Sequence, residues 1–240
     1  MALVAYHNDP ALKAGLIASL KAHAEADEFV KGRYWKNGKG CAVGCTLEFL
    51  NQTDHTNHML YESKLGIPVM LAKLEDRIFE GLPNDKAQQW PIKFSQAIRP
   101  GADLSLVGWK FLHWLLTDAG MLDDGGDKDV RAEIKQCADF LVPLTRGDEV
   151  DAGAAYAAAD AAYATARATY ATARAAAEAT YATARAAADA TYATYAAAHA
   201  AAQAAAHAAA CAADATYTAD ADAAYEKMAT KLLNLLRAAQ

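Results

Sequence analysis

Thr169–Ala179 reads TYATARAAAEA, Thr180–Ala190 reads TYATARAAADA, and a degenerate third copy, TYATYAAAHAA, starts at Thr191. Of the 90 residues from Asp151 onward, 46 are alanine, the strongest helix former, and no glycine or proline follows Gly153. The phase of the bulky residues tests the helix. At about 100° per residue, Tyr163, Arg167, Tyr170, Arg174, Glu178, Tyr181, Arg185, Asp189 and Tyr192 fall on one stripe. It runs on through His199, Gln203 and His207 to Tyr217, Met228, Leu232 and Leu235. Thr169, Thr172, Thr180, Thr183, Thr191 and Thr194 lie on the opposite side or its flank. A phase that survives this far predicts one continuous helix from about Ala154 to Gln240. Its length would be roughly 130 Å at 1.5 Å per residue. Eleven residues over three turns slightly exceed the natural pitch, so any supercoil is expected to be right-handed.

The preceding 150 residues have a different composition, with nearly all the leucine, isoleucine, phenylalanine and tryptophan of the chain. The expected domains are therefore a globular head over 1–150 and the Ala-rich helix over 151–240. A head of this size spans only about 40 Å, from a radius of gyration near 15 Å. Most of the long helix cannot rest on it.

Helix punctuation recurs through the head. Asp9-Pro10 starts a helix whose Leu12, Leu16, Ile17, Leu20 and Ala24 follow at helical spacing. Gly32 to Gly40 is a break, with Asn37-Gly38 a turn dipeptide. Asp54 is expected to cap a helix that runs to Lys64 and ends at Gly66. Pro68 opens another, with Leu71, Leu74 and Ile78 facing a core and Lys73, Asp76, Arg77 and Glu80 facing water. Gly81-Leu82-Pro83-Asn84 stops it. Asp85 to Ile98 reads helical with an interruption at Pro91. Asp103 to Leu116 is strongly apolar, and Asp127 to Leu141 follows the Gly125-Gly126 loop. No stretch alternates with period two, so the predicted class is all-α.

Charge and cysteine usage restrict the function classes. Residues 1–150 carry 17 basic and 21 acidic side chains, and residues 151–240 carry 6 and 8. Neither half offers the basic footprint that nucleic acid or anionic lipid requires. Four cysteines in 240 residues are no disulfide scaffold, and no signal peptide or membrane span is read, so a cytoplasmic setting is expected.

Two constellations in the head carry candidate chemistry. Cys41, Cys45, His55 and His58 form a C-x3-C-x9-H-x2-H pattern, and tetrahedral zinc takes two thiolates and two imidazoles at short local spacing. The bland reading is that Cys41, Gly44 and Cys45 are small residues at a tight helix crossing. No cofactor is otherwise expected. Alternatively, Cys45 (or Cys41), His58 and Glu62 assemble a nucleophilic site, because His58 and Glu62 are four residues apart on one helical face. His113 and Cys137 read as core residues. Gly38-Lys39-Gly40 before a helix is a weak anion-binding signal. Glu75, Asp76 and Glu80 read as a solvated face partnered by Lys73 and Arg77.

The segments GKGCAVGCTL at Gly38–Leu47, YESKLGIPVMLAKLEDRIFEGLP at Tyr61–Pro83 and GADLSLVGWKFLHWLL at Gly101–Leu116 resemble an uncharacterised family of bacterial and phage-borne hypothetical proteins with Ala-rich repeat tails. That resemblance covers most of residues 20–145 and implies no known activity. Separately, threonines at eleven-residue intervals in an alanine helix resemble the helical type I fish antifreeze proteins, whose flat Thr/Ala face implies ice binding. The threonine register here stops at Thr194, and an unrelated head precedes it.

The resulting expectation is a non-enzymatic helical interaction protein that forms a homo-oligomer, or binds a protein partner, through its tail. A ligand-binding or Cys/His-dependent enzymatic head with an oligomerising tail is the second reading, and ice binding the third.

Overall fold

A computed structural model describes residues 3–117, 135, 138–148 and 219–239 of the chain. Its architecture is mainly helical and divides into two units, one formed by Met1–Ser105 with Ala229–Gln240, the other by Leu106–Met228.

The first unit starts with a tight turn at Ala5–Asn8, where Tyr6, His7 and Asn8 all take positive φ. Helix α1 then spans Pro10–Glu25. Its start follows from local chemistry, since the Asp9 carboxylate accepts from the backbone N–H of Ala11 at 2.7 Å and Leu12 at 3.3 Å. Pro10 occupies a first-turn position whose missing N–H costs nothing. The Gly32–Gly40 break folds into a short antiparallel hairpin, β1 (Trp35–Lys36) and β2 (Lys39–Gly40). Asn37 and Gly38 both have positive φ, the conformation that lets a two-residue turn follow the strand twist. The all-α expectation thus needs a correction by one hairpin, too short for period-two alternation to show.

Helix α2 (Ala42–Phe49) follows directly. The helix expected from Asp54 begins only at Leu60, as α3 (Leu60–Leu65). Asp54 instead accepts from both the N–H and hydroxyl of Thr56, and Asn57 accepts from the N–H of Met59. These side-chain bonds offer the backbone an alternative to the helix. Gly66, at φ 62°, ends α3, where an added Cβ would lie 1.9 Å from the Val4 carbonyl oxygen. Helix α4 spans Val69–Gly81, and the Asp85–Ile98 expectation resolves into α5 (Asn84–Ala87) and α6 (Trp90–Ala97). Pro91 sits in the first turn of α6, the one helical position it tolerates.

Four helices close into a ring, α1 against α2, α2 against α4, α4 against α6 and α6 against α1. Leu16, Leu20, Leu47, Leu71, Phe79, Trp90 and Phe94 fill it, each under 2% exposed. Burial of side chains of this size stabilises by roughly 1.5–3 kcal/mol each. The Tyr6 hydroxyl donates to the Ser95 carbonyl, and the Trp90 indole N–H to the Glu75 carbonyl, so their polar ends are satisfied as well.

In the second unit α7 spans Val107–Thr117 and buries Phe111, Leu112, Trp114 and Leu115, while His113 is only half-buried. Residues 138–144 are helical. The last helix, α8 (Ala219–Ala238), crosses the division between the units. It buries Tyr225, Met228, Leu232, Leu233 and Leu236, whereas Leu235, expected in the buried stripe, is half-buried on its flank. Among the described residues no helix is long and apolar enough to cross a membrane. The stripe residues Tyr163, Tyr170, Tyr181, Tyr192 and Tyr217, the threonine face from Thr169 to Thr194, and Cys137 lie outside the described residues.

Candidate functional site

Helix α4 is amphipathic, but its polar positions are not a solvated face. Four helices pack against it, α2, α3, α5 and α6, and Glu75 is 1% exposed. The Tyr61 hydroxyl donates to Glu75 Oε2 at 2.8 Å, which is what makes the burial tolerable. Burial, followed by the charge of Asp76, pushes the Glu75 carboxyl up to about 8 against the opposing pull of that hydrogen bond. The expected solvated carboxylate face is corrected accordingly.

One turn of α4 carries the residues that gather the site. Asp76 and Glu80, four apart, project on one side of the helix. Cys41, at the N-cap of α2, completes a group whose Sγ and carboxylate oxygens all lie within 4.8 Å of one another. Cys41 reaches this place because α2 is pressed against the hairpin. A Cβ on Gly44 would stand 1.5 Å from the Tyr34 carbonyl oxygen, and one on Gly40 2.0 Å from the same atom. The small residues of GKGCAVGC therefore serve a helix-to-hairpin contact.

His58 joins from the loop before α3. Its Nε2 is 3.3 Å from Asp76 Oδ2, its Nδ1 is 3.0 Å from the Thr56 carbonyl oxygen, and its ring meets Tyr34 edge to face. Glu80 is held from the other side, both its oxygens accepting from the Gly32 backbone N–H at 3.0 and 2.8 Å. Among the described residues no lysine or arginine forms a close ion pair with Asp76 or Glu80, although the charges of Lys31 and Arg77 act on Glu80 from farther away. Asp76 Oδ1 is buried without a hydrogen bond of ordinary geometry, with the Tyr34 hydroxyl and the Cys41 thiol as polar neighbours of the carboxylate.

The other sequence candidates have separate partners. Cys45, fully buried, points its thiol at the Gly40 carbonyl oxygen, 3.6 Å away. His55 pairs with Glu48 at 2.8 Å and stacks on Trp35. Glu62 accepts from the Val69 N–H at 3.1 Å, so it caps α4 and does not orient His58. Of the two constellations read from the sequence, the structure brings Cys41 and His58 to a common neighbour, Asp76. In the sequence Asp76 and Glu80 read as a solvated face with Lys73 and Arg77 rather than as site residues, because α4 has an adequate apolar face without them.

Thiol chemistry follows from these neighbours. Burial first, and then the Asp76 carboxylate, push the Cys41 thiol far up. Burial and then Glu28 do the same to Cys45. Tyr34 is raised to about 12 by burial, Asp76 and Cys41 in that order. An attacking cysteine needs an electropositive neighbour that lowers its pKa, and here the carboxylate lies where an imidazole would have to be. What the arrangement offers is a set of donors of different softness, one sulfur, one imidazole nitrogen and two carboxylates. No family model, curated protein or solved structure matches the chain.

Proposed function

We propose that the protein is a non-enzymatic interaction protein that self-associates through its Ala-rich repeats, with the head as the folded base from which they are displayed. The observation that carries this reading is a contrast of surfaces. Among the described residues the only large hydrophobic side chains left exposed are Val4 and Met59, far less than a docking patch. The repeat sequence, by contrast, carries a tyrosine every eleven residues, and as a continuous helix it would set these on one stripe among arginines and carboxylates, with alanine and threonine behind. A helix of that kind would bury little against itself, and association would cover either the aromatic stripe or the close-packing Ala/Thr face.

The test must leave both ends of the chain in place, since residues 229–240 belong to the same unit as residues 1–105. Deleting Thr169–Ala190 removes two repeats and rotates the remainder by only about 40° at 100° per residue. Light scattering on the full-length chain is expected to give an oligomer, and the deletion a smaller or weaker one, with the head's melting unchanged. A full-length monomer at high micromolar concentration would end this reading.

A further inference from the structure

Within the first unit, the geometry points to a site for zinc, or another late first-row divalent cation, held by Cys41, Asp76 and Glu80 with His58 as the fourth donor. This proposal is independent of the self-association reading and rests on different residues.

The imidazole supplies the most specific argument. A carbonyl oxygen only accepts, so the contact with Thr56 places the proton of His58 on Nδ1. Nε2 faces an Asp76 oxygen 3.3 Å away, a contact that either a second ring proton or a bound cation can bridge. A metal-bound histidine has this same pattern, with one nitrogen donating to a backbone carbonyl and the other turned to the ion and its anionic ligands. His58 is only 9% exposed, so its ring is already held in place.

The remaining donors repeat the theme. Asp76 has one buried oxygen, Oδ1, without a hydrogen bond of ordinary geometry, although the Tyr34 hydroxyl and the Cys41 thiol both approach this carboxylate. Glu80 is positioned by the Gly32 N–H, a bond that leaves lone pairs free on both oxygens, as an outer-shell contact to a ligating carboxylate does. The donor atoms of Cys41, Asp76 and Glu80, within 4.8 Å of one another, need to close by about 1 Å to reach the spacing set by bonds of about 2.0 Å to oxygen and 2.3 Å to sulfur, while His58 stands outside that group and reaches it through Asp76. Side-chain rotations supply such a movement. On binding, Cys41 gives its Sγ proton to solvent and forms the sulfur–metal bond. The mixture of thiolate, imidazole and carboxylate selects zinc-class ions over magnesium or calcium, which prefer oxygen alone. The ion would join three segments that already meet at Asp76: the start of α2, the loop before α3 and the last turns of α4.

Cobalt(II) titration of the full-length, chelator-treated protein tests this, because a thiolate bound to cobalt gives a charge-transfer absorption. One cobalt per chain is expected, with that absorption present and displaced by zinc. Cys41→Ser should abolish it, and Asp76→Asn and Glu80→Gln should each weaken cobalt binding by about tenfold or more, a loss of the size seen when metal-site groups are removed. His55→Gln and Cys45→Ser should bind as the parent does. Circular dichroism of each variant separates loss of ligation from loss of fold, and the half-exposed Glu80 is the substitution least able to disturb the core. Absence of stoichiometric binding by the parent would overturn the proposal. So would retention of the charge-transfer band in Cys41→Ser, or its loss in His55→Gln with Asp76→Asn unaffected.

Discussion

Tyr61 donates its phenolic hydrogen to Glu75 Oε2 at 2.8 Å, with both side chains 1% exposed. Burial raises the Glu75 carboxyl from 4.5 to about 8, so the folded chain keeps a proton that the unfolded chain releases. The folded state binds more protons between those values, and stability must fall as pH rises through that window. A full one-proton slope is about 1.4 kcal/mol per pH unit. Glu75→Gln retains an acceptor for Tyr61 and removes the titration. Urea unfolding of metal-free protein from pH 5 to 8 should show a falling free energy for the parent and a flatter line for the variant. Parallel lines would refute the assignment.

The Tyr61 hydroxyl has a second consequence. Tyr61→Phe leaves Glu75 buried with neither oxygen bonded, and an unsatisfied buried group costs about 1–3 kcal/mol. The loss should be larger at pH 8 than at pH 5, because the ionised carboxylate depends on that donor more than the neutral acid does. A loss independent of pH would mean that Tyr61 contributes through ring packing alone.

Gly44→Ala tests the contact that positions Cys41. The new Cβ would meet the backbone oxygen of Tyr34 at 1.5 Å, and neither element can yield without moving the other. A destabilisation of about 1–3 kcal/mol or more is expected, as for overpacking elsewhere. Gly15→Ala is the contrast, since its Cβ would meet only the Phe49 ring at 3.3 Å. Equal melting temperatures for the two variants would contradict the close helix-to-hairpin approach.

These residues also show what the sequence could and could not convey. Asp9-Pro10, Gly66, Pro68 and Pro91 act within one turn of themselves, and their effects were legible. Asp54 was not, because its side chain was free to serve Thr56 rather than a helix, and nothing local decides between the two. The site was half legible. Cys41 and His58 stood out by residue type, whereas Asp76 and Glu80 looked like ordinary surface charge until the packing of four neighbouring helices placed them. A carboxylate's burial is a tertiary property, and periodicity along α4 alone carries no record of it.

Leu232 and Leu236 are fully buried on α8, while Leu235 between them is half-buried. Leu232 was expected inside and Leu236 was not, because continuing the tyrosine stripe favours Leu235, and the end of the helix packs about one residue out of that register. The residues from Ala229 onward belong to the same unit as residues 1–105, which makes this short segment part of the head's stability. Leu232→Ala and Leu236→Ala should each cost about 2–5 kcal/mol, the range for fully buried leucines, and Leu235→Ala markedly less. If the C-terminal segment folds with the head, the first two variants should also speed amide exchange throughout α1 to α6, since loss of one packed segment raises the opening of the whole unit. Faster exchange confined to α8, with α1 to α6 protected as in the parent, would show instead that the helix end is only draped on its neighbours and frays alone.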